Sequence, residues 1–179
     1  MRLFIAVLLK EEVKSGLYDT IGRLKASAKG NFTQRENLHL TLNFIGETGR
    51  LAEVKAAMER AVSESDVGHF TLSIGGFGKF TRREGDIYWA GVEREPSLWK
   101  LQKCLVKELK EEGFYEIDDH EYRPHLTLGR RVKPEKYFDE QKFASGVKPM
   151  QMNVNKISLM KSERVQGRLT YTELYEVSF

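Results

Sequence analysis

The chain opens with a nearly continuous apolar run, Arg2–Leu9, that predicts a buried strand. From Glu11 to Ala28 the apolar residues Val13, Leu17, Ile21 and Leu24 recur at helical spacing, so an amphipathic helix follows, and Lys29-Gly30-Asn31 ends it in a loop. Alternation takes over in Asn37–Ile45. There Leu38, Leu40, Leu42 and Phe44 face one way, and His39, Thr41 and Asn43 the other. A helix is predicted over Leu51–Ser63 and a strand near Phe70–Gly75. The Gly- and Arg-rich segment Gly75–Gly85 reads as a loop.

The order then recurs. Asp86–Glu93 is a strand, and Pro96–Glu112 is a helix with proline in its opening turn. Arg123–Arg130 is a strand, Pro134–Phe143 a short helix and Val154–Lys161 a strand. Leu169–Phe179 closes the chain as a last strand after a turn at Gln166-Gly167. Aligning Ala6 with Ala90 and His39 with His125 gives nearly equal offsets, which suggests an internal duplication with halves of roughly 1–80 and 85–165. No segment has linker composition. The expectation is an α+β fold in one domain over 1–179, built as two pseudo-symmetric lobes around a shared cleft.

Both halves carry the string His-Leu-Thr-Leu, at His39–Leu42 and His125–Leu128. On a strand the His and Thr of each copy share a face. Two copies brought together give a pair of imidazoles, which can remove one proton and deliver another across a single reacting atom. His69-Phe70-Thr71-Leu72 is a near copy. It starts its strand after Gly68, and its partner under the duplication is Asn155 or Lys156, so a solvent-facing strand end is expected. His120, between acidic residues, reads as a surface imidazole.

Composition changes this picture only at the margins. A net charge of +3 permits phosphate contact at a local site without suggesting a long electrostatic track. The single cysteine, Cys104, excludes an internal disulfide, and its place near the apolar stripe of a helix reads as packing. Charged residues interrupt every apolar stretch, no membrane span is expected, and the default location is cytoplasmic.

The chain resembles the two-histidine phosphoesterases, and within them the bacterial and archaeal RNA 2′,3′-cyclic phosphodiesterases, also called 2′-5′ RNA ligases. The resemblance is carried by Arg2–Ala6, Glu36–Gly46, Phe77-Gly78, Trp89–Val92, Arg123–Arg130, Leu159–Glu163, Gly167 and Tyr171. It implies two lobes of antiparallel sheet with flanking helices around a central cleft. It also implies that His39 and His125 are catalytic and that Thr41 and Thr127 hold the phosphate. The family has a basic residue three after the second Thr, here Arg130. Strict alternation puts Arg130 on the leucine side, unless a bulge at Gly129 turns it back. Arg131 is the next choice, and the first half has Phe44 at the matching place. Phe44, Phe80 and Tyr88 are stacking candidates whose plainer role is core packing, and Arg82 and Arg83 are loop cations within reach of a strand.

The implied substrate is an RNA end bearing a 2′,3′-cyclic phosphate, hydrolysed to a 2′-phosphate, with 2′-5′ ligation when a 5′-hydroxyl replaces water. The scheme needs neither metal nor cofactor, no obligate protein partner is evident, and a monomer suffices. Small cyclic nucleotides or 2′-5′ oligoadenylates are alternative substrates, and a nucleotide- or RNA-end-binding module is an alternative of another class. A zinc hydrolase fits poorly, since neither His-x-His nor His-Glu-x-x-His spacing occurs.

Overall fold

The first strand, β1 (Arg2–Leu8), is apolar on both faces because both faces are covered. In the computed structural model, which describes residues 1–179, Leu3, Phe4, Ile5, Ala6 and Val7 are all buried. The chain continues through α1 (Glu11–Lys25), β2 (Ala28–Phe32), a 3-10 turn at Arg35–Asn37, β3 (His39–Glu47), α2 (Leu51–Ser65), β4 (Phe70–Phe80) and β5 (Asp86–Val92). It ends with α3 (Pro96–Glu111), β6 (His125–Pro134), α4 (Glu140–Ser145), β7 (Met150–Val154), β8 (Lys156–Val165) and β9 (Arg168–Ser178).

The strands form two antiparallel sheets, ordered β3-β1-β8-β9 and β2-β6-β5-β4-β7. Helices α2 and α3 pack on each other and reach β9 and β3. Helix α1 lies against β2, β6 and β7, and α4 against β4. The helical faces read from the sequence are the buried ones: Val13, Leu17, Ile21 and Leu24 of α1, and Leu98, Leu101, Leu105 and Leu109 of α3. These side chains join Leu40 and Leu42 of β3 and Leu126 and Leu128 of β6 in one continuous apolar core. Burying one such side chain is worth about 1.5–3 kcal/mol, so the leucines of both His-Leu-Thr-Leu strings anchor the two strands. No helix is long and apolar enough to cross a membrane.

The expected α+β class with antiparallel sheets and flanking helices is borne out, while several boundaries differ. Helix α1 stops at Lys25, and the residues read as a loop form β2, paired with β6 from Ala28↔Pro134 to Phe32↔Gly129. Strand β4 continues through the supposed loop to Phe80, passing Gly76 at φ +76° beside a register shift between Ile74 and Phe77. A glycine at positive φ inside a strand marks a bulge rather than a break. Pro134 ends β6 instead of opening a helix. The helix starts only at Glu140, where the Asp139 carboxylate accepts the Lys142 N–H at 3.0 Å. Strand β7 was not expected.

Each sheet draws on both sequence halves. Strand β4 leaves the first half to pair with β5, and β8 leaves the second to pair with β1.

Candidate active site

His39 opens β3, His125 opens β6, and these two strands pack against each other where the sheets meet. The imidazoles are tethered alike. His39 Nδ1 lies 2.7 Å from the Asn37 carbonyl, and His125 Nδ1 lies 2.8 Å from the Arg123 carbonyl. A carbonyl only accepts, so each Nδ1 carries the hydrogen and the neutral ring presents the Nε2 lone pair. His39 Nε2 takes the Thr41 hydroxyl at 2.9 Å.

Cross-bracing fixes the two motifs relative to each other. The Tyr122 hydroxyl, just ahead of β6, donates to the Thr41 carbonyl at 2.8 Å. The Thr33 hydroxyl, just ahead of β3, donates to the Thr127 carbonyl at 2.8 Å, and Thr33 N–H donates to the Leu128 carbonyl at 2.9 Å. Each histidine strand is therefore held by the residue that leads into the other.

Both strands carry a bulge at the same place. Along β1 the register steps from Ala6↔Thr41 to Ile5↔Asn43, and along β5 from Trp89↔Thr127 to Tyr88↔Gly129. Leu42 and Leu128 are the extra residues. Two consecutive residues then face the core in each strand, Leu42 with Asn43 and Leu128 with Gly129, all buried. Alternation resumes one step out of phase, which brings Phe44 and Arg130 onto the histidine face. Phe44 therefore does not lie with the leucines as expected; it is 63% exposed and sits 6.2 Å from Phe4. Arg130 is exposed, and its charge acts on both imidazoles and on Tyr171. No carboxylate pairs with it. Arg131 instead takes φ +52° and pairs with Glu84 at 3.3 Å.

Aromatic rings hold the imidazole planes. Tyr171 of β9 meets His39 edge-on at 5.2 Å and 90°, with Phe4 at 4.9 Å on another side. Phe80 at the end of β4 meets His125 edge-on at 5.0 Å and 90°. Burial pushes the His39 imidazole below its ordinary pKa. The Asn37 carbonyl acts in the opposite sense, and the positive charges of Arg130 and His125 add to the lowering. His125 is lowered by burial and by Arg130, against the Arg123 carbonyl. Burial raises the Tyr171 phenol, which stays protonated. At neutral pH both rings are thus poised as bases beside an unpaired guanidinium, a geometry suited to acid–base chemistry on an anionic ester.

Of the remaining sequence candidates, only Arg82 comes near the imidazoles, through Phe80. His69 is exposed where β4 begins, roughly 30 Å along the strand from Phe80. His120 is exposed, with its ring 2.6 Å from Asp118. Tyr88 is wholly buried in the core, and burial raises the Cys104 thiol. Arg82 and Arg83 are exposed, with the Arg82 guanidinium 5.6 Å from the Phe80 ring centre. Reading the sequence missed the roles of Thr33, Tyr122 and Tyr171 at the site; Tyr171 stood in the family pattern, but nothing local placed it on His39.

This arrangement of helices and antiparallel sheets matches the fold of solved proteins. The chain belongs to the 2′-5′ RNA ligase superfamily, whose sequence model matches residues 13–166. It is similar to a Thermotoga maritima protein named RNA 2′,3′-cyclic phosphodiesterase, at 31% identity over all of this chain and 96% of the relative. A Methanothermobacter thermautotrophicus protein of the same name is 33% identical over 97% of this chain and 96% of its own length. Among solved structures, Escherichia coli LigT complexed with 3′-AMP superposes with a TM-score of 0.75 at 25% identity, covering 99% of this chain and 96% of that one. The Thermus thermophilus protein TT0787 gives 0.75 at 26% identity, covering 99% and 97%. The family resemblance read from the paired motifs is borne out.

Proposed function

We propose that the protein hydrolyses the 2′,3′-cyclic phosphate ends of RNA, leaving a 2′-phosphate, by paired histidine acid–base catalysis. The observation that carries this reading is the matched pair of imidazoles, each with Nδ1 tied to the carbonyl two residues back and Nε2 turned away from that tether. One neutral imidazole takes a proton from water through Nε2. The resulting hydroxide attacks phosphorus, the bond to the 3′ oxygen breaks, and the other ring, protonated, gives its proton to that oxygen. Each transfer is worth about 10²–10⁴-fold in rate. The Thr41 and Thr127 hydroxyls and the Arg130 guanidinium stabilise charge on the non-bridging oxygens.

An approaching phosphate anion raises both imidazole pKa values and supplies the protonated partner that the free site lacks. A 5′-hydroxyl in place of water gives a 2′-5′ bond by the same displacement. Because the imidazoles perform both proton transfers, no step calls for a metal ion. One chain provides every residue of this scheme, so a monomer suffices for it. Phe44, exposed at the place matching Arg130, offers a ring to the sugar or base. The similarity to a relative holding 3′-AMP favours a second, narrower reading in which mononucleotide 2′,3′-cyclic phosphates are also turned over.

The test is an oligoribonucleotide with a 2′,3′-cyclic phosphate end, assayed with strong chelator and with the product phosphate mapped. A 2′-phosphate formed at undiminished rate in chelator is expected. No product, or a 3′-phosphate, overturns the proposal.

A further inference from the structure

The histidine face of β6 continues past Arg130. Arg131 adopts φ +52° at a second register shift, where β6 carries the extra residue: Arg131 and Val132 stand against Gly30 of β2 alone. Val132 then returns to the core, and Lys133 comes out on the side of Arg130. Lys133 stands directly across from Lys29 of β2, the edge strand of its sheet. Like charges directly opposite on neighbouring strands are unfavourable, and no carboxylate pairs with either lysine. Lys29, Gly30, Arg131 and Lys133 line an open depression of about 510 Å³ whose only acid is Glu84, already paired with Arg131. A repulsive pair without a counter-charge, on an edge with nothing beyond it in the sheet, is a place an external polyanion can fill. Lys133 and Arg130 stand across from Lys29 and Asn31, two residues apart on β2, so they lie about 7 Å apart along the strand, a gap that neighbouring phosphates of one nucleic-acid strand can bridge.

We propose that Lys29, Arg131 and Lys133 form a docking strip for the RNA backbone next to the cyclic end, giving oligonucleotides an advantage over cyclic mononucleotides. The inference rests on the reading of the histidine cleft as the hydrolytic site. Contacts of this kind are to phosphates, are indifferent to base sequence and weaken with salt, by about 0.7 per phosphate neutralised in log–log slope for a single strand. Removing both lysines is therefore expected to lower the salt slope by about 1.4 and to weaken oligonucleotide use on the order of 20-fold at 0.1 M salt.

The experiment compares wild type, the double variant Lys29→Ala/Lys133→Ala and the control Lys148→Ala, an exposed lysine beside the opposite edge strand β7. For each, kcat/KM is measured against salt on a cyclic-phosphate oligoribonucleotide and on a cyclic mononucleotide. The expected result is a loss confined to the double variant and to the oligonucleotide, with its melting temperature unchanged or raised as the repulsion is relieved. Equal loss on both substrates, an unchanged oligonucleotide rate or slope, or the same loss in Lys148→Ala overturns the strip. Wild type that turns over neither substrate defeats the hydrolytic reading instead.

Discussion

Replacing Arg130 with Met separates the phosphate contact proposed for its guanidinium from the effect of its charge on the imidazoles. Arg130 is exposed, has no carboxylate partner, and its charge bears on both imidazoles. A hydrogen bond to a charged group contributes about 1.5–3 kcal/mol. If Arg130 holds the phosphate through the transition state, kcat/KM falls by about 10- to 150-fold, at about 1.36 kcal/mol per tenfold. The second effect has the opposite character. Arg130 disfavours protonation of His39 and His125, so its removal raises both pKa values and moves the pH–rate profile to higher pH. Stability hardly changes, because an exposed side chain without partners shifts it by about 0.5 kcal/mol or less. The assay is a pH series of kcat/KM on a cyclic-phosphate substrate, with thermal melts of both proteins. An unchanged kcat/KM, a profile displaced to lower pH, or a loss that tracks a fall in melting temperature would refute the reasoning.

Three further outcomes follow from the same geometry. Both histidines lie below the ordinary imidazole value of about 6.5, and activity needs one ring neutral and one charged, so kcat/KM peaks below that pH. A bound anion raises both values, so the kcat profile lies at higher pH than that of kcat/KM; coincident profiles with a maximum above 7 would contradict this. Phe44→Ala removes an exposed ring with little packing and should raise KM through a lost stacking contact worth about 1–3 kcal/mol, while Phe44→Tyr restores it; an unaltered KM in Phe44→Ala would count against a substrate role. Gly78→Ala places a Cβ 2.4 Å from the ring of Trp89, the residue paired with Thr127, so reduced activity together with a lower melting temperature is expected, and wild-type values for both would show that the ring yields freely.

Elements whose burial shows in their own residues were legible in the sequence. Strand β1, the inner faces of α1 and α3, and both His-Leu-Thr-Leu strands follow from local apolar periodicity, and the structure buries the residues that periodicity selects. Strand β2 was illegible because Ala28-Lys29-Gly30-Asn31-Phe32 is an exposed edge, held by ladder bonds to β6 rather than by an apolar stripe. The second half of β4 was hidden by glycines that serve a bulge. The site was legible in its residue types and less so in its directions. Alternation cannot register an extra residue, so it misplaced Phe44; Gly129 hinted at the bulge ahead of Arg130, whereas Asn43 gave no such sign in the first strand. Contacts such as Tyr171 on His39, or Thr33 on the Thr127 carbonyl, join residues far apart in the chain and come only from the meeting of the two sheets.

The central claim, that two imidazoles from two matched strands share one displacement at phosphorus, is tested most directly by His39→Ala, His125→Ala and His69→Ala. The three variants are compared in single-turnover rates on a cyclic-phosphate RNA. The account predicts that each of the first two loses about 10²–10⁴-fold while the third turns over like wild type. Near-normal turnover in either of the first two, or an equal loss in all three, would contradict it.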